Sequence, residues 1–128
     1  MPTLEGGRLI VHNIADRIAY VAGSVSDGFT CFYINGGYIG GTYVDHFTQG
    51  RYKAGYPAIC NYKAHFTASW AGTQYWDGWS SYHQGCFYGV WATRTLYVRA
   101  YYANNTYACG SWYENNTRLG TACNWIFR

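Results

Sequence analysis

Residues 104–127 read NNTYACGSWYENNTRLGTACNWIF and hold the pattern that decides the fold. Two similar units follow each other, and each runs from Asn-Asn-Thr to a cysteine and a tryptophan two or three residues apart. Asparagine pairs favour turns, and the residues between them have high strand propensity. We therefore expect adjacent antiparallel strands at Thr106–Tyr113 and Thr121–Phe127. Cys109 and Cys123 would then be neighbours, and they are possible disulfide partners if the register gives a suitable Cα separation.

Short strand-like runs with glycine or asparagine turn signals continue upstream of this stretch, and no amphipathic helical pattern interrupts them. Their spacing of roughly ten residues is typical of all-β sandwiches and small barrels. The chain is therefore predicted to be all-β, as an antiparallel β-sandwich or small barrel with glycine-rich hairpins. Turns are expected at Gly36-Gly37, Gly40-Gly41 and Asp77-Gly78. The further strand candidates are Phe29–Asn35, Thr42–Phe47, Ala58–Tyr62, His65–Trp70, Cys86–Trp91 and Thr95–Tyr102.

The first 25 residues differ in character from the rest, because they are aliphatic and carry a single aromatic, Tyr20. We treat residues 1–25 as an N-terminal strand or arm and residues 26–128 as an aromatic-rich β domain, within one domain overall. Ile10, Ile14, Ile18 and Val21 also fit one face of a helix. The alternative is a hairpin of Arg8–Asn13 and Arg17–Ser24, which the Val and Ile content favours.

The composition predicts a binding or assembling protein. Of 128 residues, 27 are aromatic (15 Tyr, 6 Trp and 6 Phe), and only two are lysine. Tyr, Trp and Arg are enriched in interfaces, whereas Lys and Glu are depleted there. The formal net charge of +3 is too small to favour nucleic acid as a partner. No run of 18 apolar residues exists, so no membrane-spanning helix is expected.

The five cysteines are expected to form two disulfides with one left over. Their spacing matches no zinc site, and no metal or other cofactor is expected. The alternative is that all five are reduced and buried, which is common for cysteine. Disulfides would favour an extracellular or virion-surface location. The cysteines are Cys31, Cys60, Cys86, Cys109 and Cys123.

Catalysis is not expected. The acidic residues are isolated in the sequence, and no nucleophile elbow, cysteine-protease signature or metal-binding histidine spacing is present. Asp77 is the best candidate for one carboxylate of a glycoside-hydrolase pair, but Asp-Gly is also a turn sequence. Tyr62, His65, Tyr82 and His83 are expected to form polar-tipped surface.

Two aromatic clusters are the candidate ligand-binding residues. Flat rings on short turns suit stacking on sugar rings, with a few polar groups to orient the ligand. The nearest alternative ligand is single-stranded nucleic acid, whose unpaired bases also stack on such rings. The other alternative is that these aromatic residues bind no ligand and fill the core of a leucine-poor sandwich. In Thr95–Tyr102, alternation places Leu96, Val98 and Ala100 in the core and exposes the Tyr-Arg-Tyr face. The candidate site residues are Tyr75, Trp76, Asp77, Trp79, Tyr82, His83, Tyr97, Arg99 and Tyr101.

Four short motifs within residues 79–126 carry a resemblance. They are Gly85-Cys86, Asn104–Thr106, Cys109–Trp112 and Ala122-Cys123. With these motifs the stretch resembles small secreted, cysteine- and aromatic-rich β-proteins of actinobacteria. Ser80-Ser81-Tyr82-His83 and Tyr101-Tyr102 are similar to segments of lactococcin-type bacteriocins. The first resemblance implies an extracellular, disulfide-supported β-sandwich with no catalytic residues to carry over.

The leading functional hypothesis is a non-catalytic recognition module that binds a glycan or a cell-surface protein through exposed Tyr and Trp side chains. The alternative is a self-assembling structural subunit, such as a filament, coat or virion decoration protein. Its partner would be another copy of itself, and its N-terminal strand would add to a neighbour. A bacteriocin-like toxin is the third possibility and follows from the second resemblance.

Overall fold

The computed structural model describes residues 4–5, 8–9, 19–25, 27–39, 41–55 and 58–127. All regular structure in these ranges is β. The strands are β1 (Leu4–Glu5), β2 (Arg8–Leu9), β3 (Ala19–Val25), β4 (Gly28–Asn35), β5 (Tyr43–Lys53), β6 (Ile59–Trp70), β7 (Thr73–Trp79), β8 (His83–Phe87), β9 (Trp91–Tyr101), β10 (Thr106–Glu114) and β11 (Thr117–Ile126). No helix in the described ranges is long and apolar enough to cross a membrane.

Two antiparallel sheets pack against each other. The first has the order β3-β4-β5-β9, and the second has the order β11-β10-β6-β7, with β8 also paired to β6. β1 and β2 form a separate two-stranded sheet. The predicted all-β fold is confirmed, and of the two architectures expected it is the sandwich, because the sheets do not close into a barrel.

Aromatic rings and alanines share the core between the sheets. From Tyr62 onward strand β6 alternates, so that Ala64, Phe66 and Ala68 are buried while the residues between them face outward. Phe66 stacks on Phe47 at a centroid distance of 5.6 Å, and Phe32 stacks on Phe47 at 5.7 Å. The rings fill the core of a sequence that has only four leucines, and the small alanines leave them room.

The sandwich is closed along one side by glycines. A Cβ on Gly23 of β3 would lie 2.5 Å from the Thr121 carbonyl oxygen of β11. A Cβ on Gly120 would lie 2.8 Å from Cγ1 of Val25. Such distances exclude a side chain, so the two sheets meet at β3 and β11 because both positions are glycine. The opposite side, between β7 and β9, has larger side chains and stays open.

Two disulfides link residues that lie directly opposite each other on paired strands. Cys60 is bonded to Cys86 across β6 and β8, and Cys109 is bonded to Cys123 across β10 and β11. Cys31 is the remaining cysteine and is buried. This is the expected pattern of two pairs and one left over. Paired cysteines of this kind are typical of an oxidising environment.

Burial raises the pKa of the Cys31 thiol to about 11 from its usual 9.0. Because this pKa is higher in the folded protein than in the unfolded chain, burial of the protonated Cys31 thiol contributes its full stability below pH 9. That contribution is lost as the pH rises toward 11. We expect the denaturant concentration at the unfolding midpoint to fall over this pH range, and to fall less in Cys31→Ala. Far-ultraviolet circular dichroism measures the unfolding transition at each pH. An equal alkaline loss in both proteins would contradict this origin.

A buried charge cluster closes one end of the sandwich, and we call it the Arg51 cluster. The Arg51 side chain is 1% exposed. Its guanidinium donates to Asp27 Oδ1 at 2.5 Å, to Glu114 Oε2 at 3.0 Å and to the carbonyl of Tyr52. Trp112 Nε1 also donates to Glu114 Oε2, at 3.0 Å. Glu114 therefore accepts from two buried donors at once.

Several expected boundaries differ from those observed. Asp77 and Gly78 lie within strand β7 and do not form a turn. The reason is steric, because a Cβ on Gly78 would lie 2.7 Å from Leu96 and 2.9 Å from Trp76. The candidates Ala58–Tyr62 and His65–Trp70 are one continuous strand, β6. The connection between β4 and β5 is a single longer turn region in its described residues, so Gly36-Gly37 is not a two-residue hairpin.

The N-terminal predictions are covered only in part. Ala19–Val25 is a strand, β3, and it lies within the predicted strand Arg17–Ser24 except for its last residue. Arg8–Leu9 is also extended, and it pairs with Leu4–Glu5. The proposed hairpin around 14–16 lies outside the described residues.

Candidate functional site

A groove of about 540 Å³ runs along the open side of the sandwich, and we call it the β7–β9 groove. It lies between one edge strand of each sheet. Six of the nine predicted site residues line it, four of them from β7 and two from β9. The lining residues are Tyr75, Trp76, Asp77, Gly78, Trp79, Leu96, Tyr97, Val98, Ala100, Tyr101 and Tyr102.

The floor of the groove is apolar. Leu96, Val98 and Ala100 point inward from β9 and pack against the main core, as their alternation predicted. Trp76 is only partly exposed, because its ring contacts Phe47 and meets Tyr102 edge-on at 5.7 Å. The sequence interpretation placed Trp76 beside a turn as a stacking platform. In the structure its ring belongs largely to the core.

The walls carry the exposed rings. Tyr75 and Trp79 rise from β7, and Tyr97 and Tyr101 rise from β9. Their exposure ranges from 43% for Trp79 to 70% for Tyr101. Aromatic side chains exposed on both sides of a groove can each offer a face to a ligand between them.

Hydrogen bonds fix the end of the groove near Tyr75. The Tyr75 hydroxyl lies 2.6 Å from Thr106 Oγ1, which is buried and donates to the Ala103 carbonyl. Beside it, burial raises the pKa of Tyr102, and the neighbouring Tyr75 adds to the shift. Tyr102 therefore stays a neutral phenol throughout the physiological range. Tyr75 is thus held in one orientation before any ligand arrives.

Trp79 is supported from β6. The His65 ring stacks on it at 4.1 Å, and Lys63 Nζ lies 4.6 Å from its ring centroid. Asp77 Oδ2 lies 2.9 Å from His65 Nε2, which leaves the other carboxylate oxygen of Asp77 for a ligand. These contacts occupy part of the Trp79 surface and hold the ring at the groove rim.

A β-bulge positions the residues beside Tyr97. Val44 pairs with Ala100 and His46 pairs with Tyr97, so two residues of β9 oppose Asp45 alone. Arg99 takes a positive φ of 46° at this bulge, and its guanidinium lies 5.0 Å from the Tyr97 ring. A hydrogen bond with His46 lowers the pKa of Asp45, and the positive charges of His46 and Arg99 add to this effect. Bulges of this type re-aim side chains next to binding sites.

Three predicted site residues lie outside the groove lining. Arg99 stands beside it over Tyr97. Tyr82 is exposed between β7 and β8, and His83 stacks on Tyr62 at 4.5 Å. Tyr62 was expected at the surface, but it is buried between His83 and Trp112 because it faces inward on β6.

Two supporting residues were missed by the sequence interpretation. Lys63 and His65 alternate outward on β6, and this alternation was the available signal. Only the pairing of His65 with Trp79 in the sheet register makes them part of the site. His65 and Trp79 are brought together by the β6–β7 hairpin and its β-bulge, and neither was predicted from the sequence.

The arrangement suits binding through ring faces and a few hydrogen bonds. No group of three or more His, Cys, Asp or Glu residues able to hold a metal ion occurs in the described ranges. Comparisons of the chain with protein-family models, curated proteins and solved structures find no match.

Proposed function

We propose that the protein is a non-catalytic recognition module that binds a neutral glycan in the β7–β9 groove. The observation that carries the proposal is that exposed rings from both edge strands line the groove, Tyr75 and Trp79 from β7 and Tyr97 and Tyr101 from β9. The C–H faces of a pyranose ring are apolar and stack on such rings, while its hydroxyls need a few polar partners.

The groove supplies those polar partners sparingly. The free carboxylate oxygen of Asp77 can accept a sugar hydroxyl, and the phenols of Tyr97 and Tyr101 can donate or accept. Asp77 is the one charged residue in the lining. The volume of about 540 Å³ falls within the usual range of ligand sites, about 300–1,000 Å³.

The test is a double substitution of the β9 wall. We expect Tyr97→Ala with Tyr101→Ala to weaken binding to the best neutral oligosaccharide from a glycan array by about 5- to 150-fold, since the two lost stacking contacts are together worth about 1–3 kcal/mol. Calorimetric titration measures the change, and circular dichroism checks that the fold is kept.

Tyr88→Ala is the matched control, because Tyr88 is an exposed tyrosine outside the groove. Its affinity should equal that of the unsubstituted protein. Full binding by the double variant would refute the groove as the glycan site. Binding only to acidic glycans would refute the proposed ligand class.

A second candidate function is self-association. The observation that favours it is that β7 and β9 each pair on only one side among the described strands, so their outer backbone groups can pair with another chain. In this proposal the groove rings would be buried between copies. Light scattering over a wide concentration range separates the two functions, since a monomer at high concentration excludes assembly and a regular oligomer favours it.

We also propose that the protein acts outside the cell or on a virion surface. The two disulfides support this location, because such bonds persist in oxidising compartments.

A further inference from the structure

A second aromatic site lies on the outer face of the β11-β10-β6-β7 sheet, away from the β7–β9 groove. We call it the aromatic pocket, and its volume is about 480 Å³. It shares no lining residue with the groove. The lining residues are Ser69, Trp70, Ala71, Gly72, Asn105, Tyr107 and Trp125.

The sheet register builds one side of this pocket. Tyr107 on β10 lies directly opposite both Ser69 on β6 and Trp125 on β11. The rings of Tyr107 and Trp125 are 4.7 Å apart and inclined at 53°. The small Ser69 side chain leaves space beside the two inclined rings of Tyr107 and Trp125.

Trp70 forms the other side, and its orientation is fixed. Its Nε1 donates to the Asn104 carbonyl at 3.2 Å, so the indole N–H is already used. Trp70 is exposed and stacks on no other ring in the described part of the chain. Its ring lines the pocket and has no ring partner in the described part of the chain.

The chemistry of this pocket differs from that of the groove. Its walls are almost wholly apolar, and the three stretches that build it, 66–76, 100–113 and 119–127, contain no Asp, Glu, Lys or Arg. A sugar would leave most of its hydroxyls against apolar walls without partners, which is costly. A quaternary ammonium group needs no hydrogen bonds, and the electron-rich faces of Trp and Tyr attract its charge.

We propose that the aromatic pocket binds a quaternary ammonium group between Trp70 and the Tyr107–Trp125 pair. No lysine or arginine of the lining competes for the ring faces. This inference does not depend on the proposed glycan function, because the two sites have separate walls.

The test compares choline with 3,3-dimethylbutan-1-ol, a neutral molecule of the same shape. We expect choline to bind roughly tenfold more tightly, which corresponds to a cation–π contribution of the usual size. Nuclear magnetic resonance titration follows the indole N–H signals, and those of Trp70 and Trp125 should shift while that of Trp112, which is buried, should not.

Variants locate the binding. Trp125→Ala is expected to weaken choline binding at least about tenfold, and Trp125→Phe to keep most of it, since phenylalanine retains a ring face. Tyr97→Ala with Tyr101→Ala should leave choline binding unchanged even if glycan binding is lost. Equal binding of choline and its neutral analogue, or full choline binding by both Trp70→Ala and Trp125→Ala, would overturn the proposal.

Two further probes identify the source of the group. Vesicles of phosphatidylcholine carry it on a lipid, and a trimethyllysine peptide carries it on a protein. Sedimentation with phosphatidylcholine but not phosphatidylglycerol vesicles would support a lipid headgroup as the ligand. Competition with choline by the trimethylated peptide, and none by the unmethylated peptide, would support a methylated protein.

Discussion

Glu114→Ala is expected to lower the free energy of unfolding by about 3–5 kcal/mol, because it removes one of the two carboxylates paired with the buried Arg51 guanidinium and also the acceptor of the buried Trp112 indole N–H. Glu114 Oε2 accepts from both Arg51 Nε and Trp112 Nε1 at 3.0 Å. Removing the carboxylate leaves both donors unpaired in a region closed to solvent. Chemical denaturation measures the loss.

Three variants separate this cause from a general loss of packing. Glu114→Gln keeps an acceptor and should be less destabilising than Glu114→Ala. Asp27→Asn should cost only about 1 kcal/mol, because Asp27 is half exposed and asparagine keeps an acceptor oxygen for Arg51. Adding Arg51→Met to Glu114→Gln removes the charge altogether and should restore part of the stability. If Glu114→Ala cost no more than Asp27→Asn, the Arg51 cluster would not be the stabilising element described.

Removal of the Cys60–Cys86 disulfide is expected to lower the free energy of unfolding by about 3.5 kcal/mol, from the entropy of closing its 26-residue separation. A local effect should accompany it. Strand β8 pairs with β6 at only three positions, one of which is Cys60 with Cys86. Without the bond, the β8 amides should exchange hydrogen through a local opening that does not depend on denaturant. Cys60→Ala with Cys86→Ala is the variant to measure.

The second disulfide provides the matched comparison. Cys109→Ala with Cys123→Ala opens a 14-residue separation, for which the expected loss is about 3 kcal/mol. Strands β10 and β11 are paired along nearly their whole length, so their amides should stay protected until global unfolding. Equal protection of β8 and β11 in their respective variants would contradict the local role of Cys60–Cys86.

The fold could be predicted where its causes are local. The Asn-Asn turns at 104–105 and 115–116 and the strands between them follow from residue preferences, and the pairing of Cys109 with Cys123 follows from the resulting hairpin. Asp77-Gly78 could not be interpreted correctly in this way. Glycine there makes room for Leu96 and Trp76, and a contact with a strand of the other sheet leaves no local signal.

The site was predictable in its parts but not in its assembly. Tyr97 and Tyr101 could be identified as one exposed face by alternation, and Tyr75 and Trp79 by their density in a glycine-rich stretch. That the two groups face one groove depends on which strands end at the open edges of the sheets. The partly buried position of Trp76 and the approach of Trp70 to Tyr107 in the aromatic pocket both arise from contacts between segments distant in sequence.

The order of pairing in the two sheets has a consequence for how the chain folds. The second edge of strand β5 pairs with β9, which places Thr48 opposite Thr95. In the other sheet the second edge of β6 pairs with β10, which places Phe66 opposite Gly110. Contacts so distant in sequence make folding slow, because the intervening loop must close first. During synthesis, the central strand of each sheet must therefore wait with one unpaired edge until nearly the whole chain has emerged. Until β9 and β10 arrive, these unpaired edges expose the nascent chain to aggregation.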